Sequence, residues 1–228
     1  MLSRPLALLL AWLLSAPSAT AQAADPPDPY RGAVLAWYDL CQRRAAREAG
    51  IDWLLAKAVR VKESFHDASY ISETGAVGLM QLMPTGGRMY ITPSYRAFLA
   101  ARRAPDRRHR GKRDREWAEA YRRELSALLR ATPQQELRRL DRRFDPCWNM
   151  RRGTFHLAAD LRRFRARYPA AAEDDLRRMT LAAYFAGPGR VRYRGGKPVF
   201  LGPRRAIQRY VDDLLGVYRR LRAGLPGR

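Results

Sequence analysis

Apolar residues recur at helical spacing along most of the chain. Val34, Trp37, Tyr38, Cys41 and Ala45 share one stripe, closed by Gly50. Ile51, Leu54, Leu55, Ala58 and Val59 repeat the pattern and carry a second helix toward Glu63. After Phe65 the period is lost. The small residues and short apolar patch of SYISETGAVGLMQLMP predict a compact loop with a little strand, closed by Pro84.

The helical period returns at Trp117, Tyr121, Leu125, Leu128 and Leu129. Thr132, Pro133 and Gln135 then read as a helix start with a capping pair, continued by Leu137, Leu140 and Phe144. Asp145-Pro146 breaks the chain before a stripe of Met150, Thr154, Leu157, Ala158, Leu161 and Phe164, which Tyr168-Pro169 ends. Leu176, Met179, Thr180, Ala183 and Tyr184 form another, stopped by Gly187-Pro188-Gly189. After a Gly-rich loop, Ile207, Tyr210, Val211, Leu214, Leu215 and Tyr218 close the chain. No strand-helix alternation and no short repeat interrupts this order. The pattern predicts one all-α or mainly α domain over residues 32–222, with a small loop or β segment beside the helix of Glu63 and a tail at 223–228.

The N-terminus is different. Arg4, the run LALLLAWLLSA and the Ala-X-Ala steps at Ala21 to Ala23 fit an export signal over residues 1–23, cleaved after Ala23. The run is too short to span a bilayer, although an uncleaved N-terminal anchor gives a similar pattern. Residues 24–31, with DPPDPY at their centre, read as a short linker.

Charge narrows the partners. Lys and Arg number 44 against 22 Asp and Glu, a formal charge of +22. Such a chain seeks polyanions, and export points to envelope polymers rather than nucleic acid. The densest basic stretch, residues 88–143 around RRAPDRRHRGKRDR, reads as a folded helical insertion with a disordered tip. It offers a cleft wall or a contact for another envelope protein. Cys41 and Cys147 allow a single intramolecular disulfide, though two separately buried thiols would look the same. His66, His109 and His156 make no metal-ligand pattern, and the phosphate-loop order is absent, so no metal or nucleotide cofactor is implied.

Glu63 is the carboxyl group with the most telling context, near the end of an apolar helix and before a loop of small residues. Apolar surroundings raise a carboxyl pKa and keep it protonated for donation to a glycosidic oxygen. Ordinary glycoside hydrolysis uses two carboxylates, and Asp67 and Glu73 are the nearby candidates for the second. Both also fit surface or turn positions.

Glu63-Ser64, followed by S-x-x-G-A-V-G-L-M-Q-L-M-P from Ser72 to Pro84, resembles the soluble lytic transglycosylase domain, of goose-lysozyme-like fold. D-P-x-x-N-M-x-x-G from Asp145 to Gly153 and AAYFAGPGRV at 182–191 are similar to two further blocks of that family. Together they span the chain from Ala33 to about Tyr218. The resemblance implies a periplasmic enzyme that cleaves the N-acetylmuramic acid to N-acetylglucosamine bond of peptidoglycan and leaves 1,6-anhydro ends. It makes Glu63 both acid and base, and it places Ser72, Gly78, Met80, Gln81, Asn149, Tyr184 and Phe185 in substrate-binding or supporting positions. Tyr184 would bring its hydroxyl to Glu63, Gln81 would face an N-acetylated sugar, and Met80 would supply an adaptable wall. Gly75 and Gly78 would let the backbone approach the sugar, and Asn149 resembles a helix cap.

The chain departs from the family at several points. Phe185 stands where the family has Asn, His66 where it has Phe, and Ala206-Ile207 where it has Glu-Thr. A muramidase that uses water, and a glycan-binding or envelope-assembly protein with weak turnover, are the alternative readings.

Overall fold

The computed structural model describes residues 29–84, 96–97 and 110–224. The expected export signal, most of the linker, the tip of the basic insertion and the last four residues lie outside them. Residues 1–34 and 35–228 divide into two units. Of the first, only residues 29–34 are described, as the opening turns of helix α1 (Pro29–Ala49).

The second unit is mainly helical, as expected. After α1 come α2 (Trp53–Ser64), α3 (Arg110–Ala131), α4 (Gln134–Leu140), α5 (Pro146–Arg167), α6 (Glu173–Ala186) and α7 (Arg204–Arg222). The core faces of α2, α5, α6 and α7 are the stripes of the sequence, whereas Val34 and Trp37 of the α1 stripe and Leu140 of α4 are exposed. Leu55, Val59, Met150, Leu157, Met179, Leu181, Ile207, Val211 and Leu214 are almost fully buried in one cluster where α2, α5, α6 and α7 meet. At about 25 cal/mol per Å² of apolar surface, that cluster is the main source of stability.

Two helix starts show why the boundaries fall where they do. Asp52 caps α2 by accepting from the Leu54 N–H at 2.9 Å, and Asp145 caps α5 by accepting from Trp148 at 2.9 Å. Pro146 occupies the first turn of α5, where its missing N–H costs nothing. The expected capping pair at α4 does not form, since no side chain caps its first turn. Nor does α4 reach Phe144. Asp141 ends the helix with extended backbone, and Phe144 sits in a separate 3-10 turn.

The Gly-rich stretch after α6 is not a plain loop. It is a hairpin of β1 (Val191–Arg194) and β2 (Lys197–Phe200), paired antiparallel with Val191 opposite Phe200. Gly195 and Gly196 both have positive φ, the requirement of the tight turn whose twist matches the strands. The small β segment beside α2 consists of two isolated bridges, Ile71 with Val77 and Val77 with Leu82.

Cys41 on α1 and Cys147 at the start of α5 are disulfide-bonded, with Cα atoms 5.4 Å apart. The insertion is tied down as well. Tyr121 and Leu125 of α3, Leu137 of α4, and Phe144 form a second buried cluster with Ile71 and Val77. The basic segment is therefore built onto the loop that follows the helix of Glu63.

Candidate active site

Glu63 lies in the last turn of α2, half-buried. The helix stops there because Phe65 adopts left-handed backbone, φ 49°, and its N–H returns to Val61. His66 follows at φ 71°. Such backbone strains non-glycine residues by about 1–3 kcal/mol each. Among the described residues the only other non-glycine with positive φ is Gln81, at 45°. All three cases flank Glu63 or line the loop facing it.

That loop, residues 75–82, is held by buried side chains rather than by regular structure. The Ser64 hydroxyl donates to Leu79 O at 3.1 Å, linking the end of α2 to the loop. Asn149 is fully buried in α5. Its Oδ1 accepts from Met80 N at 2.8 Å, and its Nδ2 donates to Val77 O at 2.9 Å and Arg143 O at 2.8 Å. Arg143 is fully buried too, paired with Asp141 at 2.6 Å while it donates to Leu82 O at 3.2 Å and to the Tyr121 hydroxyl at 2.6 Å. A buried ion pair is retained at a net cost unless its remaining donors are satisfied, and here loop carbonyls satisfy them. The insertion helices, through Tyr121, Asp141 and Arg143, thus help to fix the loop beside Glu63.

The carboxyl group itself is held by Tyr210 of α7, whose hydroxyl donates to Glu63 Oε1. The other oxygen, Oε2, has no protein donor among the described residues. Burial raises the Glu63 pKa, while the Tyr210 hydrogen bond and the nearby Lys62 charge oppose that rise. Lys62 is itself paired with Asp213 at 2.7 Å. Burial and the Glu63 charge push the phenols of Tyr210 and Tyr184 well above their ordinary value, so both remain donors.

Each residue singled out from the sequence has a definite place. Tyr184 does reach the neighbourhood of Glu63, but its hydroxyl donates to Met80 O at 2.5 Å. The phenol on the carboxylate is that of Tyr210, which the sequence offered as a core residue of the last stripe and, with Val211, as a pair shared with the family it resembles. Met80 is fully buried, with its sulfur accepting from Gln42 at 3.4 Å, so it is core rather than a wall of the cleft. The methionine that lines the adjoining groove is Met83. Asn149 is not a cap, because Asp145 performs that task, and the amide serves the loop instead.

The glycines are explained by the protein's own atoms. A Cβ on Gly78, at φ 78°, would stand 2.4 Å from Asn149 Nδ2 and 2.6 Å from Arg143 O. One on Gly75 would meet the Tyr121 ring at 2.3 Å. Gly153 on α5 makes room for Met80 in the same way, with a Cβ contact of 2.6 Å. Ser72 shapes the loop by accepting from Ala76 N at 3.0 Å. Gln81 donates to Tyr70 O at 3.1 Å and Gly78 O at 2.9 Å, while its Oε1 is buried without a partner.

Phe185 is 48% exposed, yet its ring stacks on Tyr210 with centroids 4.5 Å apart and planes 21° apart. The apolar ring in place of an amide therefore braces the phenol that holds Glu63. Of the two candidate partner carboxylates, Asp67 is exposed and accepts from Ser69 N at 2.8 Å, and Glu73 is exposed on a groove against α3. Glu63 is thus left without either candidate partner carboxylate, with one oxygen held by Tyr210 and the other without a donor among the described residues.

No solved structure matches this chain. The blocks at 145–153 and 182–191 fall outside the segment that a family model matches. That segment, residues 40–97, matches the transglycosylase SLT domain, of a glycan-cleaving family acting on peptidoglycan, and it contains Glu63 and the loop facing it.

Proposed function

We propose that the protein is a peptidoglycan lytic transglycosylase, which cleaves the β-1,4 bond between N-acetylmuramic acid and N-acetylglucosamine and closes a 1,6-anhydro ring. The observation that carries this reading is the environment of Glu63. Burial favours the protonated acid that the first step consumes, and the Tyr210 hydroxyl favours the carboxylate that this step leaves behind.

In the first step the Glu63 proton moves from Oε2 to the glycosidic oxygen as the bond from muramyl C1 to that oxygen breaks. The muramyl N-acetyl oxygen closes on C1 and takes up the developing positive charge, a duty that a second carboxylate would otherwise perform. In the second step the Glu63 carboxylate accepts the C6 hydroxyl proton while O6 attacks C1 and displaces the acetyl oxygen. Glu63 ends protonated, as it began. Gln81 borders the groove beside Glu63, where an amide side chain suits an N-acetylated sugar.

Residues 1–23 would direct export and be removed near Ala23, which would put the enzyme with its substrate in the periplasm. Mass analysis of purified cell wall digested by the protein tests the reaction, because the anhydro product is one water lighter than the hydrolytic one. Reducing muramic ends alone would indicate a muramidase. Binding without any product would indicate a glycan-binding protein.

A further inference from the structure

Beside the Glu63 site lies a groove of about 580 Å³, bordered by Gln81 and Tyr184. Arg152, His156 and Arg162 of α5 line its far side, with Met83 and Phe155 supplying apolar surface. Among the described residues no carboxylate lines it. Three other grooves among the described residues also carry arginines, but each has acids of its own. Asp212 and Asp213 line one, Glu73 and Glu119 another, Glu48 and Asp145 the third.

The two arginines are also uncommitted to acids. Many arginines of the fold face a carboxylate, as Arg151 does Glu48 and Arg163 does Asp160. Arg152 and Arg162 face none among the described residues. One Arg162 nitrogen donates to Ala49 O at 2.9 Å, which fixes the side chain and leaves its other donors available. His156 stands against Tyr184, ring centroids 5.6 Å apart. Its other neighbour, the buried Asp160 at 3.6 Å, is not part of the groove lining. Two guanidinium forks with no internal acid, next to a glycan-cleaving centre, have the chemistry to receive carboxylates.

We infer that this groove is a subsite for the acidic stem peptide carried by a muramyl residue, with Arg152 and Arg162 taking its carboxylates. The inference rests on the reading of Glu63 as a peptidoglycan-cleaving acid, because continuity through Gln81 and Tyr184 is what brings a muramyl group to the groove. Phe155 and Met83 would pack against the peptide's aliphatic part.

Binding to the full chain carrying Glu63→Gln tests it, at physiological salt. Three disaccharide probes are titrated: one with a stem tetrapeptide, one with that peptide fully amidated, and one with no peptide. The tetrapeptide form should bind about tenfold more tightly than either of the others, the scale of a charge-assisted hydrogen bond. Adding Arg152→Ala and Arg162→Ala should erase that advantage. Equal binding of the free and amidated forms would overturn the inference, as would an advantage that survives both substitutions. So would a peptide-free probe that binds as tightly, since its lactyl carboxylate would then be the group recognised, and so would failure of all three to bind.

The outcome is separable from that of the reaction. A charge-blind groove in a protein that yields anhydro products removes the subsite alone. A charge-selective groove in a protein that yields none removes the proposed reaction alone.

Discussion

The Tyr210 hydroxyl donates to one oxygen of Glu63, so a residue near the end of the described chain opposes the rise in proton affinity that burial gives a carboxyl group on the second helix. Removing only the hydroxyl, by Tyr210→Phe, leaves the burial that favours the acid and deletes the bond that favours the carboxylate. The Glu63 pKa should rise further, because the carboxylate loses the hydrogen bond that favours it. The pH profile of turnover reads this directly, as an upward displacement of the limb that reports loss of the acid, with a lower maximum because the second step needs the base.

Phe185 acts one contact further out. Its stack on Tyr210 is an aromatic pair of the kind that contributes about 0.5–1.5 kcal/mol beyond area burial. Phe185→Asn should loosen the phenol and reduce kcat several-fold, whereas Phe185→Trp, which keeps a ring, should retain most of it. Identical kinetics for Phe185→Asn and the unsubstituted protein would show that the stack does not position Tyr210.

Asp141 and Arg143 are fully buried partners, and Arg143 also reaches a loop carbonyl. Asp141→Asn leaves an unneutralised guanidinium in the interior, at a cost of about 3–5 kcal/mol. Urea unfolding should show that loss. Activity at temperatures where the variant stays folded should fall too, because the loop carrying Gln81 loses an anchor.

The raised pKa of Glu63 also has a consequence for stability. The folded chain binds this proton more tightly than the unfolded chain, whose Glu titrates near about 4.3. Between those two values the folded state holds the extra proton, so the Glu63 contribution declines as pH rises through the window and is then constant. Glu63→Gln removes this dependence. Its stability relative to the unsubstituted protein should therefore be greater at pH ~8 than at pH ~4, measured by denaturant unfolding at both.

The helices were legible because stripes such as Leu55, Val59 and Ile207, Val211, Leu214 have one job, which is to be buried. Glu63 was legible because its motif is local. The residues that hold it were less so. Tyr210 lies 147 positions away and occupies a normal core position in its stripe, so nothing local marks its hydroxyl as the partner. Asn149 looked like a cap because a polar residue early in a helix usually is one, and only the fold reveals the loop amides that it serves. Met80 is buried rather than in the cleft wall, and an apolar residue inside a motif carries no sign of which way it faces. The hairpin does carry a local signal, since Gly195-Gly196 between Val191 and Phe200 is a two-residue turn flanked by strand-forming residues.

In the proposed reaction Glu63, acting alone as acid and then as base, closes the ring without water. Digestion of purified peptidoglycan in heavy-oxygen water reads this most directly. Anhydro-muramyl ends free of label are expected from the unsubstituted protein, and no product from a folded Glu63→Gln variant. Labelled reducing ends, or unchanged product formation by Glu63→Gln, would contradict it.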